Sequence, residues 1–278
     1  MTASALVSAD ALLSGGDLPK FVDGSWYLGG DRNPAQEYLE AHLPGAVRFD
    51  LDEVADHKTD LPHMLPAPAA FASAVGRFGL SHTDDIVIYE AGNLLASPRV
   101  WWTFRAMGVQ SVRILDGGMR AWREAGGAIH QGHYTPEAVR FDARFDPSVV
   151  VGCGDIQEIV STQSAQIIDA RPAARFRGEA PEPRPGLRCG AMPGAINIPS
   201  SSLLTDGRMK SEEALKAIFA DAGVDAQRPI VTTCGSGVTA ALLLLGLEVA
   251  GYLNIRLYDG SWAEWGRTDA DNCPVQTI

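Results

Sequence analysis

The sequence predicts an α/β protein of two tandem units, each a mainly parallel sheet with helices on both faces. Two observations carry this. Short apolar, β-branched runs alternate with helical patterns, as in a parallel sheet covered on both sides. The second half of the chain also repeats the first. Phe21-Val-Asp23 matches Ile167-Ile-Asp169, and His42-Leu-Pro-Gly-Ala46 matches Ala191-Met-Pro-Gly-Ala195. Ile86-Val-Ile-Tyr-Glu-Ala-Gly92 matches Ile230-Val-Thr-Thr-Cys-Gly-Ser236, and Asp116-Gly-Gly-Met-Arg-Ala-Trp122 matches Asp259-Gly-Ser-Trp-Ala-Glu-Trp265. The matches keep one order and nearly one spacing, from 143 residues (Asp116 to Asp259) to 149 (His42 to Ala191).

The elements of the second half follow in order. Ile156 to Ser161 reads as a short helix and Gln166 to Ala170 as a strand, with Asn197-Ile-Pro199 after a turn. Ser211 to Ala220 reads as a helix, with Ser211 as N-cap and apolar residues at helical spacing. Then come a strand ending at Thr233, a leucine-rich helix through Leu247 and a strand over Asn254 to Tyr258. The connector between halves, Gly132 to Val150, is polar and carries Pro136 and Pro147; a boundary near residue 140 gives domains 1–140 and 141–278.

Composition excludes several function classes. The chain has 278 residues, with 34 acidic against 23 basic and a formal charge of −11, so neither a nucleic-acid nor an anionic-membrane surface is expected. The four cysteines (Cys153, Cys189, Cys234 and Cys273) form no Cys-x-x-Cys pair, which argues against a zinc ribbon or a thioredoxin-type motif. Sparse cysteines suit a reducing compartment. The N-terminal residues have no basic region or long apolar run, and the most apolar stretch, Ala240 to Leu247, is too short to span a bilayer. A cytoplasmic protein needing no metal or cofactor is the expectation.

The chemistry concentrates at Cys234. It sits on the turn between the strand and the leucine helix, in Thr233-Cys234-Gly235-Ser236-Gly237-Val238-Thr239. A helix N-terminus and surrounding backbone N–H groups favour thiolate, and Gly235 and Gly237 let the loop curl into an anion nest. A lone cysteine is more often a small core hydrophobe; the glycine-rich strand-to-helix turn favours the nucleophile, and a sulfur within reach of solvent is then expected. In the first half Glu90 occupies the position of Cys234, and Asn93-Leu-Leu-Ala lacks the glycines of a nest. That half is expected to be catalytically silent, while still contributing groups to a site between domains.

Together these motifs resemble the tandem-domain rhodaneses over about residues 5 to 270. The loop Cys234-Gly-Ser-Gly237 is similar to that of the 3-mercaptopyruvate sulfurtransferase branch; thiosulfate-using members usually carry a basic Cys-Arg-Lys-Gly loop. The resemblance implies two rhodanese-like domains, with sulfur moved from 3-mercaptopyruvate through a Cys234 persulfide to a thiol, such as thioredoxin or a small thiol, or to cyanide, releasing pyruvate. It places substrate-binding arginines at Arg175 and Arg184, whose planar forks can grip a carboxylate. Gly235, Gly237, Val238 and Thr239 would line the persulfide. It also implies a relay of Ser236, His63 and Asp52 across the domain interface. Arg171 and Arg177 read as structural salt-bridge partners, and Cys153, Cys189 and Cys273 as inert. Where the branch usually has His-Ile-Pro-Gly-Ala, this chain has Ala191-Met-Pro-Gly-Ala.

Three alternatives stand beside this. A thiosulfate sulfurtransferase would prefer the other donor. A persulfide carrier would need a partner to load it. A cysteine phosphatase is disfavoured, because Cys-x5-Arg chemistry needs arginine where this chain has Ala240.

Overall fold

The computed structural model describes residues 4–29 and 32–277. Contacts divide it into two units. One takes residues up to Asp56 with Leu65–Asp146 and Thr205–Met209; the other takes His57–Met64, Pro147–Leu204 and the chain from Lys210 onward.

The first unit runs β1 (Leu6–Val7), α1 (Ala9–Leu13), β2 (Lys20–Asp23), α2 (Pro34–Glu40), β3 (Val47–Arg48), α3 (Pro68–Arg77), β4 (Ile86–Tyr89), α4 (Ser97–Ala106), β5 (Val112–Leu115) and α5 (Gly118–Glu124). The chain continues through β6 (Val150–Val151), α6 (Cys153–Thr162), β7 (Gln166–Asp169), α7 (Ala173–Phe176) and β8 (Ile196–Asn197). A ribbon of β9 (Leu204–Thr205) and β10 (Arg208–Met209) precedes α8 (Glu212–Asp221), β11 (Ile230–Thr233), α9 (Val238–Val249), β12 (Ile255–Tyr258) and α10 (Ser261–Trp265).

The two five-stranded sheets share one strand order, β1-β5-β4-β2-β3 and β6-β12-β11-β7-β8. Every pairing within them is parallel. The repeat legible in the sequence is therefore a repeat of topology, and the α/β class follows as expected.

Local sequence explains the elements. Ile86–Tyr89 and Ile230–Thr233 are buried along their whole length, as central parallel strands must be. Ser211 caps α8, its side chain accepting the Ala214 N–H at 3.3 Å. Helix α9 is apolar on all sides and is buried from Ala240 to Leu247. Trp122 anchors the first core, and Trp262 and Trp265 the second. Truncating one of these to alanine would cost about 3–5 kcal/mol. Among the described residues no helix is long and apolar enough to cross a membrane.

In a parallel sheet the carboxyl ends of the strands open toward the loops that carry chemistry. Strand β11 lies at the centre of its sheet between β12 and β7, and Cys234 follows it directly. Glu90 follows β4 at the matching place in the first sheet.

Candidate active site

Cys234 occupies the four-residue turn between β11 and α9. Gly237, with φ of 79°, makes the left-handed step into the helix that an L side chain resists. The turn is pinned by α10: the Trp262 N–H donates to the Cys234 carbonyl at 3.0 Å and the Ala263 N–H to the Gly235 carbonyl at 2.9 Å. The Ser261 hydroxyl accepts the Cys234 N–H at 3.3 Å and donates to the Tyr258 carbonyl at 2.9 Å.

The expectation of an open sulfur is corrected here. Cys234 is 2% exposed. The physical reason is its place directly after a central strand, closed over by its own loop and by the start of α10. Its surroundings are nevertheless polar. Ser236 and His63 are each 7% exposed, and Gly235 and Thr239 beside it are partly exposed, while Val238 is buried.

Arg175, on α7, lies over the loop. A Cβ added at Gly235 would stand 3.1 Å from the Arg175 Nη2, so glycine makes room for the guanidinium. Glu182 holds that guanidinium, accepting Nε at 3.2 Å on Oε1 and Nη2 on Oε2. The same carboxylate takes the Arg171 Nη1 at 2.9 Å. Arg171 is fully buried: it also binds Asp169, donates to the Gly190 carbonyl at 2.8 Å and stacks on Trp262 with its Cζ 4.0 Å from the ring centroid. Arg171 is thus structural, as read from the sequence, and Arg177 pairs with Glu179 on the surface. Arg184 is half-buried, two residues beyond Glu182.

His63 belongs to the second unit, although it lies within the first half of the sequence. Its Nδ1 is 3.1 Å from the Ser236 Oγ. Its backbone is left-handed, with φ of 60°, a conformation that costs a non-glycine residue and recurs where a side chain is held for function. Asp52 is exposed in the first unit and accepts the Trp26 Nε1–H at 2.9 Å.

The first unit lacks the glycines of a nest, as read from the sequence, yet its loop gathers backbone N–H groups on a side chain of its own. The N–H groups of Leu95, Ala96 and Ser97 converge on the Glu90 carboxylate, with Ala96 at 2.8 Å and Ser97 at 3.0 Å. Leu94 supplies the left-handed turn, with φ of 47°. The Glu90 carbonyl accepts from Met119 at 3.0 Å, as Cys234 does from Trp262. The loop from Glu90 to the start of α4 is longer than the loop from Cys234 to α9, which accommodates the longer side chain. Burial pushes the Glu90 pKa up, against the pull of the three N–H groups. The first unit thus fills its own anion cradle with a carboxylate.

Sequence reasoning assigned no role to Glu182 or Ser261. Glu182 stood between the two arginines singled out, and Ser261 replaces Gly118 in the repeat. Both take the same left-handed backbone, φ 50° and 54°, so the serine is the strained choice and its hydroxyl is what the position gains. The remaining cysteines are free: Cys189 is exposed, and Cys153 and Cys273 are in contact at 3.7 Å between sulfurs. Among the described residues no cluster of three or more His, Cys, Asp or Glu side chains is arranged to hold a metal ion.

The chain is 46% identical over 247 residues to the 3-mercaptopyruvate sulfurtransferase of Escherichia coli K12, covering 88% of each protein. It is 43% identical to the mouse 3-mercaptopyruvate sulfurtransferase over 250 residues, covering 88% of this chain and 84% of the relative. The crystal structure of SseA from Escherichia coli, described as a 3-mercaptopyruvate sulfotransferase with the rhodanese fold, superposes with a TM-score of 0.86. That match has 42% identity and covers 94% of this chain and all of the other. The Rhodanese-like domain matches twice, over residues 13–125 and 154–268, each copy taking in four of the five strands of one sheet, and the chain belongs to the rhodanese family.

Proposed function

We propose that this chain is a sulfurtransferase that takes sulfur from 3-mercaptopyruvate onto Cys234 and passes it to a thiol or to cyanide. The observation that carries this is the seating of Cys234 on a β11–α9 turn with Arg175 over Gly235 and Ser236 bonded to His63. High identity to 3-mercaptopyruvate sulfurtransferases over most of the chain supports the same donor.

The chemistry runs in two halves. The Cys234 thiolate attacks the donor sulfur, and the carbon–sulfur bond breaks with its electron pair moving to carbon. The resulting enolate takes a proton and leaves as pyruvate, and the enzyme holds Cys–S–SH. A thiolate acceptor then attacks the outer sulfur and departs as a persulfide, or cyanide departs as thiocyanate, and the Cys234 thiolate returns. Two substrates meeting one covalent intermediate give ping-pong kinetics.

Arg175 and Arg184 hold the donor carboxylate and ketone and stabilise the charge that develops on the enolate oxygen. Ser236 and His63 carry the proton; Asp52 is joined to them on the family resemblance alone. The backbone N–H groups of the turn, from Gly235 through Thr239, receive the outer sulfur. The first unit supports this role for the turn, because the matching N–H groups there already bind an anion, the Glu90 carboxylate. Four free thiols suit a reducing compartment such as the cytoplasm.

The test compares donors with cyanide as acceptor. The specificity constant for 3-mercaptopyruvate should exceed that for thiosulfate. A higher constant for thiosulfate would assign the chain to the other donor.

A further inference from the structure

Glu182 is a buried carboxylate that the reaction above does not use. Its side chain is 2% exposed, and it bridges two guanidiniums with different fates. Arg171 is fully buried and held on its other sides by Asp169, Gly190 and Trp262. Arg175 is 18% exposed and reaches the turn beside Cys234. Glu182 thus ties a guanidinium that faces the reaction to one locked in the core.

The geometry points to Glu182 as the positioning residue for Arg175 in the donor half of the reaction, an inference that rests on the function proposed above. Arg175 stands on a helix of four residues, and a long side chain there has many rotamers. A two-oxygen clamp on Nε and Nη2 fixes the plane of the guanidinium and leaves Nη1 turned away from the clamp for a donor. Arg171 in turn fixes Glu182, because its Nη1 bonds the same Oε1 that takes the Arg175 Nε. The Arg171 guanidinium rests on Trp262, whose N–H holds the Cys234 carbonyl. One connected set of contacts therefore sets both the sulfur and the arginine above it, which is the arrangement that near-attack geometry requires.

Ping-pong kinetics make this testable, because each substrate's specificity constant reports its own half-reaction. Glu182→Gln keeps the shape but gives up one charged oxygen. It should lower kcat/KM for 3-mercaptopyruvate by roughly ten- to a hundredfold. The kcat/KM for a small thiol acceptor should change by less than about threefold, since that step holds no donor carboxylate. Arg175→Ala should show the same donor-selective loss, and adding Glu182→Gln to it should cost little more, because the two act as one unit. An equal fall in both specificity constants would reduce Glu182 to a structural residue and overturn the inference. So would a Glu182→Gln effect that adds in full to Arg175→Ala. Should Glu182→Gln yield no folded protein, Glu182→Asp, which withdraws the carboxylate by one methylene, takes its place in the same measurements. A donor-selective loss there supports the positioning role, and an equal fall in both constants overturns it. A wild-type protein that releases no pyruvate from 3-mercaptopyruvate would instead refute the proposed function itself.

Discussion

Replacing Glu90 by alanine tests the claim that the first unit is a filled anion cradle. The perturbation removes the acceptor of three N–H groups, those of Leu95, Ala96 and Ser97, around a side chain that is 2% exposed. Each buried donor left without its partner costs about 1–3 kcal/mol. Removing a buried carboxylate returns part of that through lost desolvation, leaving a net loss of about 2–4 kcal/mol. For a unit of this size the melting temperature should fall by about 5–15 °C.

The effect has a pH signature. Burial raises the folded-state pKa of Glu90 above its ordinary value of 4.5. Between those two values the folded protein binds more protons than the unfolded chain, so the contribution of Glu90 to stability falls as pH rises through the folded pKa. The lead of the wild type over Glu90→Ala should therefore be larger near about pH 5 than near about pH 8. Asp23, whose pKa burial also raises, stays in both proteins, and its charge adds to the rise at Glu90. Thermal unfolding followed by tryptophan fluorescence at both pH values reads this out. Equal melting temperatures would refute the cradle, and a lead that widens with pH would refute the claim that burial outweighs the three N–H groups at Glu90.

Two further substitutions probe the second unit. Ser236→Ala removes the 3.1 Å contact to His63, and turnover of 3-mercaptopyruvate should drop by about tenfold to a hundredfold while melting stays within a few degrees. A loss as complete as that of Cys234→Ser would contradict the proton-carrying role proposed for Ser236. Gly235→Ala sets a methyl 3.1 Å from the Arg175 Nη2, the far end of a flexible side chain, so the fold should survive while KM for the donor rises several-fold. An unchanged KM would show that Arg175 does not meet the donor from above this loop.

Much of the fold was legible because its signals are local. Alternating short strands and helices, and motifs recurring at one spacing, gave two copies of a parallel sheet, and the strand orders agree. Cys234 was legible for the same reason, since a β-branched run, two glycines and a leucine run fix a turn with little tertiary help. What escaped depends on distant chain. The turn that seats Cys234 is pinned by α10, some thirty residues on. His63 groups with the second unit through contacts that its sequence position does not announce. The cradle around Glu90 was missed because the expected signal was glycine, whereas Leu94 adopts the left-handed turn instead. Glu182 lay in plain view between two arginines, but a carboxylate beside arginines is ordinary on a surface. Only its burial and its two partners distinguish it.

The central claim is that the Cys234 sulfur, though covered, accepts sulfur directly from a small donor. Mixing the protein with 3-mercaptopyruvate and no acceptor, then measuring pyruvate and the intact and peptide masses, tests it most directly. One pyruvate per chain and one added sulfur atom on the peptide containing Cys234 are expected, with both absent in Cys234→Ser. No pyruvate and no added sulfur, or the added sulfur on exposed Cys189 with Cys234 unmodified, would contradict the account.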